Sequence, residues 1–285
     1  MNAHRCKMAP PVVMGSGLAP SARPGMTEDG LSPCPHADYE AQLARKMNDD
    51  VWLAGVDGCP VGWMTAFVRV RGNEVRLRVV PRFAAIATAP EAPAVIAVDM
   101  PIGLPARIGP GGRGPERAVR ALLGTRQSSV FPVPSREAVY ASSYLEACRV
   151  ALATSDPPRS VQKQLFLIGP KIREVDHALR TDPALAARVF ETHPELAFWR
   201  LNGERPLAFA KKVKPGLALR RALLIAAGYP PAAVEAPPPK GAGPDDVLDA
   251  LACAAIARRI HAGVARSFPD EPQRDEHGLP MAIWA

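Results

Sequence analysis

Hydrophobic and polar positions change their pattern at about residue 51. From there, the apolar run WLAGVDG predicts a buried strand that ends at Asp57. The segments WMTAFVRV and EVRLRVVP alternate on either side of Gly72 and Asn73, which predicts an antiparallel hairpin. A further apolar run, APAVIAVDM, predicts another buried strand with Asp99 at its carboxyl end. This part of the pattern therefore predicts four strands, two of them paired in a hairpin.

The rest of the chain predicts mainly helices. Between about 106 and 187, helical spacing occurs in ERAVRALLG, SREAVYASSYLEACRVALA, PKIREVDHALR and PALAARV. RVFET then predicts a short strand, and Pro194 opens the helix PELAFWRLNG. GLALRRALLIAAG predicts a helix that ends at Gly228, followed by a linker rich in Pro and Gly at 229–244. The last helix, DDVLDALACAAIARRIHAG, is nearly apolar on one side, so we expect it to pack on the sheet.

The first 50 residues lack such periodicity and contain several prolines. This composition predicts a disordered extension, or a start codon assigned too far upstream, with Met47 just before the first strand. The stretch MAPPVVMGSGLAPSA is interrupted by Pro and Gly, which argues against a secretory signal. We therefore expect a single domain over residues 51–285.

Composition and charge narrow the class of protein. Apolar residues make up 47% and charged residues 22%, as in globular domains, and no apolar run is long enough to span a membrane. The net charge of +7 favours an anionic partner such as a nucleic acid or a nucleotide, although Arg-rich composition also occurs without one. The five cysteines are far apart and form no C-x-x-C motif, which favours a reducing, cytoplasmic location over disulfides or zinc.

Carboxylates occur where strands and helices are expected to meet one edge of the sheet. Three of them end predicted strands, and two others, three residues apart, share one face of the last helix. These candidates are Asp57, Asp99, Glu191, Asp246 and Asp249. Carboxylates gathered in this way repel one another unless divalent cations bind between them. Two Mg²⁺ or Mn²⁺ ions about 3.5–4 Å apart promote phosphoryl displacement, which makes these residues candidate metal ligands and catalytic groups.

Several acidic positions also have a structural interpretation. Asp245 and Asp246 are suited to cap the last helix, the better interpretation for Asp245, and Asp57 and Asp99 are suited to turns. Asp249 lies one turn into the helix, where capping does not explain it. His193 is either a general base or a residue hydrogen-bonded locally at a helix start.

Basic and hydroxyl side chains lie between the acidic positions. Those around a Pro-rich loop are Arg126, Ser128, Ser129 and Arg136, and they are candidates for binding phosphate oxygens. Lys171, expected in a loop without a packing role, is a candidate for offsetting transition-state charge. Turn hydrogen bonds and solvent exposure are the alternatives for these residues. A basic cluster, which contains Lys211, Lys212, Lys214, Arg220 and Arg221, is either a phosphate track or a solvated helix face.

Eight sequence blocks occur in a characteristic order over residues 51–285. They include GVDGCPVGW, VDMPIGLP, RQSSVFPVPSR, FETHPELAFWRLNG and DDVLDALACAAIARR. In this order they resemble the bacterial predicted RNase H-like nucleases, a family of domains of unknown function. The resemblance implies an α/β fold, with a mixed five-stranded sheet flanked by helices and a helical insertion at about 106–187 before the last strand. It also matches Asp57 and Asp99 to strand acids, and Asp246 and Asp249 to the D-x-x-D-A-L motif of RuvC-like resolvases.

The function expected from these features is hydrolysis of phosphodiester bonds by a nuclease that uses two Mg²⁺ or Mn²⁺ ions. Two alternatives remain open. One is a catalytically silent RNase H-like module that binds nucleic acid or protein. The other is an actin-like nucleotide phosphotransferase, which requires two duplicated halves and a second Gly-rich phosphate loop, neither of which the sequence contains.

Overall fold

The structure, a computed structural model, describes residues 51–285. The N-terminal extension and the alternative start at Met47 lie outside these residues. None of the helices between residues 51 and 285 combines the length and the apolar character needed to cross a membrane.

The domain is built on a mixed five-stranded sheet, as expected. The strands are β1 (Trp52–Cys59), β2 (Gly62–Arg69), β3 (Val75–Val80), β4 (Val95–Val98) and β5 (Val189–Glu191). Their order in the sheet is β3-β2-β1-β4-β5. The first three strands pair antiparallel, whereas β4 pairs parallel with β1 and β5 pairs parallel with β4. The carboxyl ends of β1, β4 and β5 therefore lie at the same edge.

Helices fill the connections. After α1 (Ala84–Ala87), the insertion between β4 and β5 contains α2 (Gly114–Arg120), a 3₁₀ helix (Gly124–Ser129), α3 (Arg136–Tyr140), α4 (Tyr144–Thr154), α5 (Lys163–Thr181) and α6 (Pro183–Ala186). The helices after β5 are α7 (Pro194–Leu201), α8 (Lys214–Ala226), α9 (Pro231–Val234) and α10 (Pro244–His261). The mixed α/β architecture with a helical insertion thus agrees with the sequence-based expectation.

The insertion differs locally from the prediction. SREAVYASSYLEACRVALA forms two helices, because the Ser143 hydroxyl accepts a hydrogen bond from the amide of Glu146 and starts α4 anew. Helix α5 continues through Pro170, where the pattern predicts the start of a new helix. Pro170 is exposed, while Ile172 and neighbouring apolar residues pack in the core on both sides of it. Packing therefore maintains the helix despite the hydrogen bond that proline removes.

The C-terminal segment forms a second, two-stranded sheet that the sequence analysis does not predict. Its strands are β6 (Ser267–Arg274) and β7 (Pro280–Trp284). The Thr192 hydroxyl donates a hydrogen bond to the carbonyl of Trp284 at 3.0 Å, just after β5. The carboxylate of Asp275 accepts hydrogen bonds from the amides of Leu104 and Leu279. These contacts join the hairpin to the main sheet and to the loop after β4.

Helix α10 packs directly on the central strand. A Cβ atom on Gly55 would lie 2.1 Å from the carbonyl oxygen of Ala250 and from the amide nitrogen of Ala254, so only glycine permits this approach. The buried face of α10 is correspondingly rich in alanine. The contact places Asp249, the neighbour of Ala250, beside the end of β1, where Asp57 lies two residues after Gly55.

Candidate active site

Three aspartates from distant parts of the chain converge at the carboxyl end of β1. Asp57 is near the end of β1, and Asp99 directly follows β4. Because Val56 pairs with Val98 in parallel register, these two aspartates occupy equivalent positions on neighbouring strands. Asp249 comes from the second turn of α10. We call Asp57, Asp99 and Asp249 the acidic cluster.

The members of the acidic cluster influence one another's protonation. Burial raises the pKa of Asp57 well above its usual value, and the charges of Asp99, Asp249 and Asp246 raise it further. Burial likewise raises the pKa of Asp99. Burial raises the pKa of Asp249 to about 6, although Lys211 opposes this shift. The shifts have the two causes expected of like charges in a desolvated site.

Two carboxylates of the cluster have no bonding partner within the described part of the chain. Asp57 is buried and Asp99 half-buried, yet neither accepts a side-chain hydrogen bond or forms an ion pair with another residue of 51–285. Buried carboxylates normally have such partners, because losing hydration without compensation is costly. Asp57 and Asp99 are therefore free to bind a ligand, and they have no bond that would stabilise the fold.

The third carboxylate is paired with a lysine that the sequence analysis assigned elsewhere. Lys211 Nζ lies 2.8 Å from Asp249 Oδ2 and 3.7 Å from Asp245 Oδ2. Although burial lowers the pKa of Lys211, the charges of Asp249 and Asp57 raise it above its usual value. The sequence places Lys211 in a basic cluster, because charge patterning cannot show that one lysine turns inward. Lys211 is thus a site residue that sequence reasoning missed.

The segment that carries Lys211 is held against α8. Arg220 Nη1 donates to the carbonyls of Phe209 and Gly216. A Cβ atom on Gly216 would lie 1.9 Å from the carbonyl oxygen of Ala210, so the chain before α8 packs closely on its first turn. Arg220, which the sequence grouped with Lys211, is therefore a buried structural residue.

Asp246 has a structural partner. Its Oδ2 accepts a hydrogen bond from the amide of Gly243 at 2.8 Å, which caps the start of α10. Burial raises the pKa of Asp246. The sequence favoured Asp245 for the capping role, but Asp246 makes the capping bond. Asp246 remains close enough to Asp57 to raise its pKa.

Glu191, the remaining ligand candidate, is bound on both carboxylate oxygens. Its Oε1 lies 2.6 Å from Arg113 Nη2, and its Oε2 accepts a hydrogen bond from the amide of Ile102 at 2.7 Å. Arg113 also bonds Glu116 at 2.6 Å. We call Arg113, Glu116 and Glu191 the Arg113 network. The structure thus places Glu191 in a buried ion-pair network, so that it differs from the unpartnered carboxylates.

The two arginines expected to bind phosphate have carboxylate partners instead. Arg126 Nη2 lies 3.1 Å from Glu195 Oε1. Arg136 binds Asp176 through Nη1 and Asp275 through Nη2, both at 2.6 Å. These pairs join the insertion to α7 and to the C-terminal hairpin. The structure therefore gives both arginines roles in holding elements together.

Lys171 and the two serines also differ from the expectation. Lys171 lies inside α5, donates to the Gly62 carbonyl at 2.6 Å, and has its ammonium 4.5 Å from the centre of the Trp63 ring. It thus has a packing role, which the sequence analysis did not expect. The Ser129 hydroxyl donates to the Arg126 carbonyl at 2.8 Å, the turn bond considered as the alternative. Ser128 is exposed.

His193 is bonded locally at the start of α7. Its Nδ1 accepts a hydrogen bond from the amide of Glu195 at 3.2 Å, and its Nε2 lies 3.3 Å from the carbonyl oxygen of Ser129. These partners assign the proton of a neutral imidazole to Nε2. The arrangement matches the local interpretation of this histidine.

A cavity of about 520 Å³ adjoins the acidic cluster. Asp57 and Asp99 line it together with His193 and Lys171. Both carboxylates of the Arg113 network also line it. The rest of the lining is largely apolar and includes Met100, Val130, Phe131, Val133, Leu165 and Ile168. The unpartnered carboxylates are therefore accessible to a small ligand.

The donor chemistry of the acidic cluster suits Mg²⁺ or Mn²⁺, which prefer carboxylate oxygens. Within residues 51–285, no three His, Cys, Asp or Glu side chains stand in an arrangement that holds a metal ion. At Asp249, the ammonium of Lys211 occupies one oxygen. The cluster thus has suitable donors, and they do not form a complete coordination shell in this arrangement.

Comparison with known proteins identifies a family but no characterised relative. No curated protein and no solved structure matches the chain. A family described as protein of unknown function, DUF429, matches residues 55–274, which include all three members of the acidic cluster. Because this match covers most of the sequence, the chain belongs to the DUF429 family of proteins of unknown function.

Proposed function

We propose that this protein is a divalent-metal-dependent hydrolase of phosphodiester bonds, a nuclease in the broad sense, that acts at the acidic cluster. The observation that carries the proposal is the pair of unpartnered carboxylates, Asp57 and Asp99, on the wall of a cavity. Their desolvation and mutual repulsion disfavour the charged, metal-free state, and a bound cation would remove both costs.

The sheet supports an RNase H-like assignment for this domain. The mixed five-stranded sheet, with antiparallel strands first and a helical insertion before the last strand, agrees with what the sequence resemblance implies. Asp57 and Asp99 lie at the ends of the two central parallel strands, where open α/β sheets bind their ligands. The proposed site and the proposed fold family thus favour the same edge of the sheet.

In this proposal, Asp57 and Asp99 would hold the divalent ions, and Asp249 would be a further ligand if its oxygen were not bound to Lys211. Asp246 fixes the first turn of α10 through its bond to Gly243 and so positions Asp249. The chemistry that such ions supply is neutralisation of the phosphate charge and activation of a water molecule. The ammonium of Lys211, the cation bound to Asp249, would then be available to offset negative charge on the substrate.

The test measures metal binding and hydrolysis separately on the full chain. Isothermal titration with Mn²⁺ should show binding to the wild type, and Asp57→Asn should abolish it. Hydrolysis of bis(p-nitrophenyl) phosphate should require Mn²⁺ or Mg²⁺ and should be lost in the same variant. Asp270→Asn, which removes an exposed carboxylate on β6, is the matched control and should behave as wild type.

Two results would contradict the proposal. One is the absence of Mn²⁺ binding to the wild type at millimolar concentration, which would favour the catalytically silent module. The other is metal binding or hydrolysis that survives in Asp57→Asn, since the ions would then lie elsewhere.

A further inference from the structure

The cavity beside the acidic cluster has walls of two kinds. Asp57 and Asp99 belong to its polar lining. Its apolar lining comes from the loop after the 3₁₀ helix, with Val130, Phe131 and Val133, and from α5, with residues that include Leu165 and Ile168. A volume of about 520 Å³ lies within the range of pockets that enclose most of a small ligand. A ligand that reaches the aspartates therefore contacts a largely apolar surface as well.

The charges on the cavity wall limit the negative charge that a bound ligand can carry. Four carboxylates of the described chain line it, namely Asp57, Asp99, Glu116 and Glu191. The lining also includes Lys171, whose ammonium is bound to the Gly62 carbonyl. Because Glu116 and Glu191 share the Arg113 guanidinium, the uncompensated negative charge lies at Asp57 and Asp99, and it repels phosphate unless divalent cations offset it. The cavity suits a substrate with one phosphate at the cluster and an uncharged part beyond it.

The arginines nearby do not provide a track for further phosphates. Arg126 is paired with Glu195, and Arg136 is paired with Asp176 and Asp275. Polymeric nucleic acid is usually bound through several Lys or Arg contacts to successive phosphates. The carboxylate partners of Arg136 hold it away from a phosphate, whereas Arg126 shares Glu195 with Arg220 and is a single remaining guanidinium rather than a track.

The uncharged part of the substrate is best matched by a nucleobase. Phe131 provides an aromatic ring at the wall, and aromatic rings stack on the faces of bases. The hydroxyls of Ser129 and Thr192 also line the cavity, and each donates its proton to a backbone carbonyl. Each oxygen can still accept a hydrogen bond from the edge of a base.

We propose that the substrate is a small nucleotide phosphodiester, with its base in the apolar part of the cavity and its phosphate at the acidic cluster. This inference rests on the proposed hydrolase function and adds the size and class of its substrate. The long nucleic acid polymer, which the resemblance to nucleases implies, is the competing substrate.

The experiment compares substrates of matched charge and leaving group on the full chain with Mn²⁺. Thymidine 5′-(p-nitrophenyl phosphate) should be hydrolysed with a kcat/KM at least about tenfold above that of bis(p-nitrophenyl) phosphate, because a base stacks in the cavity. Phe131→Ala should remove this preference by lowering kcat/KM for the thymidine diester towards the value for bis(p-nitrophenyl) phosphate. Ile168→Trp, which fills the same cavity from α5, is a second variant with the same expected result. Leu145→Ala is the control, since Leu145 is 81% exposed on α4.

A length series tests the competing substrate. A dinucleotide and a single-stranded 20-mer should give similar kcat/KM values per bond. A 20-mer that is about tenfold better or more would overturn the inference while leaving the proposed function intact. Equal hydrolysis of the two p-nitrophenyl diesters would do the same.

A binding measurement keeps the two proposals separate if nothing is hydrolysed. In that case the proposed function fails, and titration with the uncharged nucleosides adenosine and thymidine examines the cavity alone. Binding that Phe131→Ala weakens about tenfold would support a base site. The absence of nucleoside binding to the wild type would overturn it.

Discussion

Two groups of buried carboxylates line the same cavity and differ in what surrounds them. In the Arg113 network, Glu116 and Glu191 share one buried guanidinium, and Glu191 also accepts a backbone hydrogen bond. In the acidic cluster, Asp57 and Asp99 have no such partner within residues 51–285. Asp57 is buried like Glu116 and Glu191, and Asp99 is half-buried, so burial alone does not separate the two groups. The presence or absence of a counter-charge does.

The largest expected effect comes from removing the counter-charge of the Arg113 network. Arg113→Met leaves Glu116 and Glu191 buried without a cation, which should lower the free energy of unfolding by about 3–5 kcal/mol. Urea denaturation at pH 7 measures this loss. Arg149→Met, at an exposed position of α4, is the control and should change the free energy by less than about 0.5 kcal/mol. A loss below about 1 kcal/mol for Arg113→Met would mean that the network contributes no more than a surface ion pair does.

Neutralising a carboxylate of the acidic cluster should instead raise the free energy of unfolding. Without metal at pH 7, Asp57→Asn should raise the free energy of unfolding, because burial and the neighbouring carboxylates disfavour the charged form of Asp57. The same substitution should lower kcat by about 10²-fold or more if it removes transition-state stabilisation. Thermal denaturation in EDTA and the diester assay measure the two effects. A variant less stable than the wild type without metal would show that Asp57 stabilises the fold.

The pH dependence of stability follows from the same cluster. Burial raises the pKa of Asp57 and Asp99 in the folded protein, and raises that of Asp249 to about 6. Between the unfolded pKa, near 4, and these raised values, the folded chain binds more protons than the unfolded chain. The cluster's contribution to metal-free stability should therefore decrease as pH rises through about 4 to 6. Melting temperatures in EDTA should show a shallower decrease for Asp57→Asn, and an unchanged slope would contradict the assignment.

Lys211 allows a further test, because it gives one member of the acidic cluster, Asp249, a counter-charge. Lys211→Met leaves Asp249 unpaired, and because Lys211 is about one-third exposed, the cost without metal should be only about 1 kcal/mol. The affinity for Mn²⁺ should increase about tenfold, which corresponds to ~1.4 kcal/mol, because no ammonium has to leave Asp249. Titration calorimetry measures this change, with the exposed neighbour variant Lys212→Met as control. A weaker affinity would indicate that Lys211 supports the metal site rather than competing for it.

Glu91, a buried carboxylate bound by partly exposed arginines, should have the smallest effect on the free energy of unfolding, with the opposite pH dependence. Hydrogen bonds from Arg78 lower the pKa of Glu91 to about 2 despite the opposing effect of burial. The stabilisation is therefore present above about pH 4.5 and is lost as pH falls towards 2. Arg78 is more than one-third exposed, so Glu91→Gln should cost only about 1 kcal/mol at pH 7 and almost nothing at pH 2. Denaturation curves at the two pH values would contradict this if the cost were equal.

Much of the fold follows from local patterns. The runs WLAGVDG and APAVIAVDM correspond to β1 and β4, and the alternating segments correspond to β2 and β3. The sequence pattern does not predict the C-terminal hairpin, because SFPDEPQR in β6 is polar and contains two prolines, unlike a typical strand. The expected loop position of Lys171 is wrong, because packing keeps α5 continuous through Pro170. Local signals thus failed where contacts from other elements compensate for an unfavourable residue.

Apolar periodicity is a local signal, and it predicts Asp57 and Asp99 at or near the carboxyl ends of strands and Asp249 on the last helix. Which of these carboxylates has a counter-charge depends on contacts between distant parts of the chain. Lys211 is 38 residues from Asp249, and Arg113 is 78 residues from Glu191. An ion pair forms when two side chains are close in the folded protein, and the spacing of charges along the sequence does not show which ones are. Five acidic residues that look alike in the sequence therefore divide into two unpartnered carboxylates, one bound by lysine, one that caps a helix and one in a buried network.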